Sequence, residues 1–172
     1  MIALQTPRLL LRSFGEGDLD EMAALMADAD FMRFSLGVFS REQTAGFLEK
    51  VRARDRDGLP SQFAVVFQAD ERLIGYCGFF PQIVDDIEEL EVGYRVHPDY
   101  WGRGIATEAA RAVRDHAFDV LQLPRVISLI HPDNLASRRV AEKNGMTPEK
   151  ETVFRGFPTI VFSISNIQRN GR

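Results

Sequence analysis

Gly102 and Gly104 stand on either side of Arg103, directly ahead of the alanine-rich run Ile105-Ala106-Thr107-Glu108-Ala109-Ala110. A turn alone needs one glycine. Two at this spacing clear a stretch of backbone of side chains, and a helix that starts there offers N–H groups with no internal acceptor and a partial positive charge. Such a place suits an anion, usually a phosphate. A nucleotide P-loop needs a Lys-Ser/Thr pair after the second glycine, where this chain has Ile105-Ala106. A dinucleotide fingerprint needs a third small residue where Thr107 stands, and an acidic residue closing the next strand, which is missing. A pyrophosphate cradle made of backbone remains, beside the plainer reading of a tight turn with a helix cap. The glycine pair alone does not separate them.

Other reactive residue types are scattered. His97, His116, His131 and Cys77 form no cluster with metal-ligand spacing, so no metal is expected. His97 reads as a loop residue, His131 as the end of a strand, and His116 as a partly exposed helix residue. Cys77, in "IGYCGF", reads as a small core residue. A lone cysteine excludes an internal disulfide and points to a reducing compartment, the cytoplasm. The net charge of −4, from 25 acidic and 21 basic residues, suggests no nucleic-acid-binding face. Arg8 and Arg12 interrupt the apolar N-terminal run, so neither a signal peptide nor a membrane span is expected. With 172 residues, 45% hydrophobic and 27% charged, the chain reads as one soluble domain over 1–172.

These residues need elements to hold them. Residues 8–13 read as a first strand. "GDLDEMAALMAD" has Leu19, Met22 and Met26 at helical spacing, with Asp18 as cap. "SREQTAGFLEKVRAR" opens with Ser40 and Gln43 at capping-box spacing. Residues 62–68 and 72–80 read as a hairpin, and 87–96 as a central strand disturbed near Gly93. A helix over 106–118, a strand over 125–130, and a helix capped by Asn134 and closed by Gly145 follow. "VFRGFPTIVFSI" reads as a turn and a strand. The order β-α-α-β-β-β-α-β-α-β-β predicts a mixed α/β fold with a largely antiparallel sheet.

"YRVHPDYWGRGIATEA" resembles the acyl-CoA-binding motif of the GNAT acetyltransferase superfamily, Arg/Gln-x-x-Gly-x-Gly/Ala. Gly104 and Ala106 match its last two fixed positions, and Trp101 departs from the first. "TPRLLLRSFGEGDLDEM" and "NLASRRVAEKNGM" are similar to further signatures of the RimJ/RimL-like branch, with Met146 where phenylalanine is usual. The three motifs together cover nearly the whole chain. The resemblance implies a single-domain mixed sheet with a splayed central strand pair, and acetyl-CoA as cosubstrate. The amides from Arg103 through Gly104, Ile105 and Ala106 to Thr107 would face its pyrophosphate, with Trp101 and Gly102 completing the loop. Tyr94, Arg95 and Val96 would lie along the pantetheine arm, and Asn134 would bond it or orient the site. Arg103 reads either as a charge for a phosphate or as a solvated loop arginine.

Acylation of an amine needs a base, positioning, donors for the oxyanion and a proton for the departing thiolate. Glu91, two residues before Gly93, is the base candidate, with Glu89 on the same face by alternation. A nearby carboxylate would raise its pKa. The plainer reading of "DDIEELE" is an acidic hairpin rim, which would in either case attract a cationic amine. No tyrosine follows Tyr100, so the family's usual leaving-group acid is missing and the resemblance offers Ser137 instead. Phe31, Phe34 and Phe39 fall where the family has its acceptor wall. The acceptor would be a protein N-terminus or a small amine, and the resemblance leaves room for a homodimer. The competing reading is a non-catalytic acyl-CoA-binding module, suggested by Trp101 and the missing tyrosine.

Overall fold

The computed structural model describes residues 3–167. Two short strands, β1 (Ala3–Gln5) and β2 (Leu9–Arg12), precede the helices α1 (Leu19–Met26) and α2 (Arg41–Arg56). Strands β3 (Gln62–Phe67), β4 (Arg72–Val84) and β5 (Ile87–Val96) form a meander. Then come α3 (Ile105–Asp119), β6 (Arg125–Ile130), α4 (Leu135–Lys143), β7 (Thr147–Phe154) and β8 (Phe157–Ser165). All eight strands join one sheet in the order β1-β2-β3-β4-β5-β6-β8-β7. Among the described residues only β5 and β6 run parallel; every other pair is antiparallel. The predicted α/β class with a mostly antiparallel sheet is therefore the observed one.

The sheet is covered on both faces. Ile105, Ala109, Val113 and Ala117 recur every fourth residue of α3, so one stripe of the helix packs on Leu11, Val65, Ile74, Phe79 and Val92. On the opposite face, Met22 and Met26 of α1 and Leu48 and Val51 of α2 cover Ala64, Leu73 and Tyr76. The capping box of α2 forms as its sequence predicts. Gln43 N–H donates to Ser40 Oγ at 3.1 Å, and Ser40 N–H donates to Gln43 Oε1 at 2.8 Å.

Four expectations are corrected. The chain opens with a strand, β1, ahead of the one predicted. The first of the two closing strands, β7, begins at Thr147, ahead of the run "VFRGFPTIVFSI" that signals them. Asp18 sits at the N-cap position of α1 but caps nothing. Its carboxylate is held by the Arg12 guanidinium at 2.7 and 2.8 Å and by Gly15 N–H at 2.7 Å. Finally, β5 is not disturbed at Gly93, which pairs with Gly78 in an unbroken ladder from Gly75↔Val96 to Val84↔Ile87. The irregularity lies on the far side of β4, between Val65 and Val66. The opening in the sheet is on the other edge of β5. Among the described residues, Glu91↔Ile127 is the only pair joining β5 to β6. Beyond it, Gly93–Val96 and Ser128–Ile130 keep their pairing to β4 and β8 but not to each other, and the two strands part.

Candidate active site

The loop after β5 is fixed before α3 begins. Gly102 and Gly104 adopt φ of +70° and +76°, where a side chain is strained, and Gly104 is the N-cap of α3. A Cβ at Gly102 would meet nothing within 4 Å, so this glycine serves its backbone angle and an open surface rather than close packing. Glu108 N–H donates to Gly104 C=O at 3.0 Å, one helical turn on. The amides of Ile105, Ala106 and Thr107 lie ahead of that bond, with no acceptor within the helix. The acid of this first turn is drawn away. Glu108 accepts from Thr6 Oγ at 2.6 Å, Arg8 Nε at 2.7 Å and Arg8 N–H at 3.0 Å. Burial works against its charge, but these donors outweigh it and hold the carboxyl below its ordinary pKa.

The loop's own side chains brace it. Arg8 Nη1 donates to Arg103 C=O at 2.8 Å. The Arg103 guanidinium lies 5.1 Å from the ring centres of both Phe67 and Tyr100. Arg103 is exposed, and these two rings give its guanidinium a platform at the surface. Trp101 Nε1 donates to Val96 C=O at 2.7 Å, so the indole locks the end of β5 and occupies that carbonyl. Of the three β5 residues expected along the ligand arm, Val96 thus shares its carbonyl with the indole.

The parting of β5 and β6 begins at Glu91. Its Oε2 accepts from Gln82 Nε2 at 2.7 Å, and its carboxylate also takes the N–H of Leu129 from across the gap. Burial dominates and pushes its pKa above the ordinary glutamate value, with Gln82, Leu129, Arg155 and Arg95 pulling the other way. Glu89 does not contribute this rise. It is ion-paired with Arg125 at 2.7 Å, and Arg125 also reaches Glu149 at 3.1 Å. The expected carboxylate pair is a carboxylate beside an ion pair.

On the other face, Tyr94 donates its hydroxyl hydrogen to Ser137 C=O at 3.2 Å, and burial raises the phenol pKa far above its usual range. Ser137 N–H donates to Asn134 Oδ1 at 3.1 Å, so Asn134 caps α4. With amide and carbonyl both engaged, the Ser137 hydroxyl is the residue's remaining polar group. Arg95 extends to the other face, where its Nη1 donates to the carbonyls of Phe31 at 3.0 Å and Arg33 at 2.7 Å.

The flanking aromatics divide. Phe31 is core, while Phe34 is 46% exposed and stacks on His131 with ring centres 5.4 Å apart. Phe39 is half-buried. His116, expected to be partly exposed, is buried between Phe63 and Phe79. Cys77 is fully buried as expected, and burial raises its thiol pKa. Sequence reasoning missed Gln82, Arg155 and the Tyr94 hydroxyl. No local motif marks them, because each reaches the site from a different strand or turn.

The arrangement offers an anion cradle with acceptor-less amides, a gap between parallel strands leading from it, and a pKa-raised carboxylate at the gap's closed end. The residues fit a ligand that carries a pyrophosphate and a narrow arm. Residues 8–147 match the model of the acetyltransferase (GNAT) domain. The chain is 30% identical over 147 residues to the N-acetyltransferase YnaD of Bacillus subtilis, spanning 85% of this chain and 83% of that one. Its structure resembles that of a GNAT-family acetyltransferase from Bacillus anthracis, with TM-score 0.82 and 27% identity over 96% of this chain and 99% of that one. It also shares the fold of RimL, a ribosomal L7/L12 alpha-N-protein acetyltransferase in complex with coenzyme A. That likeness has TM-score 0.81 at 19% identity, covering 95% and 98% of the two chains.

Proposed function

The chain belongs to the GNAT acetyltransferase family and is an acetyl-CoA-dependent acyltransferase, and from that premise we propose that it acetylates a primary amine. The observation that carries the reading is the placement of Glu91. Its carboxylate, raised in pKa by burial, stands at the one pair that closes the β5–β6 gap. A base working near neutrality needs such a shift. The acceptor is a protein N-terminus or a small amine.

The cosubstrate supplies an acetyl thioester; the chain does the rest. The amides of Ile105, Ala106 and Thr107, reached over Gly102, Arg103 and Gly104, hold the pyrophosphate. Backbone groups of Tyr94 and Arg95 line the arm, and Trp101 fixes the end of that strand through Val96. Glu91 takes a proton from the acceptor ammonium. The Ser137 hydroxyl hands a proton to the departing sulfur, with Asn134 and Tyr94 fixing the backbone that carries it.

A panel of amines with acetyl-CoA, read by release of free thiol, tests the proposal. Turnover should appear with at least one amine and vanish in Glu91→Gln at acidic pH. Amine-independent turnover alone would sink it. A cytoplasmic location accords with Cys77, which is buried and unpaired with any other cysteine.

A further inference from the structure

The turn joining β7 to β8 carries an odd residue. Arg155 has φ +50° and Gly156 φ +82°, between the paired Phe154 and Phe157. Two left-handed residues make this the type of hairpin turn that prefers Asn-Gly or Gly-Gly, and the long side chain's local contact is its guanidinium over the Phe154 ring at 5.1 Å. The arginine's side chain is the part that reaches elsewhere. Arg155 Nη2 donates to Gln82 Oε1 at 3.2 Å, and Gln82 Nε2 donates to Glu91 Oε2 at 2.7 Å.

The chemistry of these three groups fixes their orientation. Arginine can only donate, so the oxygen of the Gln82 amide must face Arg155. The amide nitrogen must then face Glu91, and its N–H bonds more strongly to an ionised carboxylate than to a neutral carboxyl, so it favours the charged form. Gln82 lies on the same face of the sheet as Glu91, two pairs along the β4–β5 ladder. The other charged or titratable groups facing Glu91 are Arg95 on its own strand and Tyr76 on β4, while Tyr94 feels its charge from the opposite face. Glu89 is neutralised by Arg125 of β6.

We infer that Gln82 and Arg155 are positioning residues: a relay from the β7–β8 turn through β4 that holds Glu91 ionised and aimed along the β5–β6 gap. This rests on the reading of Glu91 as the base. Burial alone would leave that carboxylate protonated to higher pH. The relay sets how far its affinity for the proton can rise.

The test follows the Glu91 carboxyl itself by carbon-13 NMR titration, assigned with Glu91→Gln. Gln82→Leu and Arg155→Gly should both move its titration to higher pH, and Arg155→Lys should restore most of the wild-type curve. Arg155→Gly suits the positive φ, so its Tm should be at least that of wild type. With the most active amine of the panel, kcat should fall ~3–10-fold at acidic pH and recover at alkaline pH. In a Glu91→Gln background, Gln82→Leu should cost nothing further. Unmoved titration in both variants overturns the relay, whatever the activity. A moved titration with no matching change in the pH profile refutes the base reading, and the catalytic role of the relay with it.

Discussion

The Tyr94 hydroxyl donates to the Ser137 carbonyl at 3.2 Å, joining β5 to α4 at one point on the gap. Glu91 and Tyr94 are three residues apart on one strand, so they face opposite sides of the sheet. The candidate base and the candidate acid therefore approach the gap from opposite faces. Ser137→Ala should lower kcat toward the low end of the ~10²–10⁴-fold range for a general acid, because a thiolate leaves readily. Affinity for acetyl-CoA, measured by calorimetry, should stay near wild type. Unchanged kcat would remove Ser137 from the chemistry.

Tyr94→Phe keeps the ring and removes only the tie. It should cost about 1 kcal/mol, seen as a Tm lower by roughly 2–4 °C in a chain of this size. An undiminished Tm would show that the bond adds no net stability.

The cradle is tested at Gly104. Gly104→Asp puts a carboxylate where the pyrophosphate is held, in a backbone conformation with φ +76°. Calorimetry on the folded variant should find acetyl-CoA binding lost. Gly104→Asn tolerates the same φ without the charge and should weaken binding less. Equal losses would mean that shape, not charge, decides the site.

Much of this was legible along the chain, for reasons that show where reading stops. The bounds of β5 and β6 follow from runs of β-formers ended by His97-Pro98 and His131-Pro132. Both elements are central; β6 is mostly buried, and β5 buries Val92 and Val96 among half-buried neighbours, so β-forming types dominate both runs. β1 and β7 are edge strands, largely exposed, and the first part of β7 carries Pro148 and charged residues, so no pattern marks β1 or the start of β7. Glu91 could be named from its place before Gly93. Its partner Gln82 and its neighbour's partner Arg125 could not, because both depend on strand register. Asp18 has the type and position of a cap, yet the nearby Arg12 competes for it and wins. The imperfect alternation around Gly93 suggests a disturbance within β5 itself. The strand opens instead toward β6, whose register no local signal carries.

Arg95 holds the segment after α1 by two carbonyls, those of Phe31 and Arg33. Arg95→Ala should free this segment, raise hydrogen exchange over residues 31–36 and raise the KM for the amine. The dissociation constant for acetyl-CoA should not change, since only backbone groups of Arg95 serve that side. A weaker acetyl-CoA affinity with an unchanged amine KM would reverse the assignment.

His116 is buried with an unpartnered Nδ1, and burial lowers its pKa below the ordinary 6.5. The unfolded chain therefore binds a proton in a range where the folded chain does not. Stability should fall as pH drops below about 6.5, down to the folded pKa, and be unaffected by this group above it. Urea unfolding of wild type and His116→Leu between pH 5 and 8 checks this. The wild type should lose more stability at the acid end than the variant. Parallel curves would contradict it.

The most direct measurement is a paired assay of thiol release and acetylated product, with acetyl-CoA and each amine in turn, across pH. The account predicts product with the acetyl group on nitrogen, formed in step with free thiol. It also predicts an acid limb that disappears in Glu91→Gln, and no turnover at all in Gly104→Asp. Thiol release that ignores the amine, or that proceeds unchanged in Glu91→Gln at every pH, would contradict it.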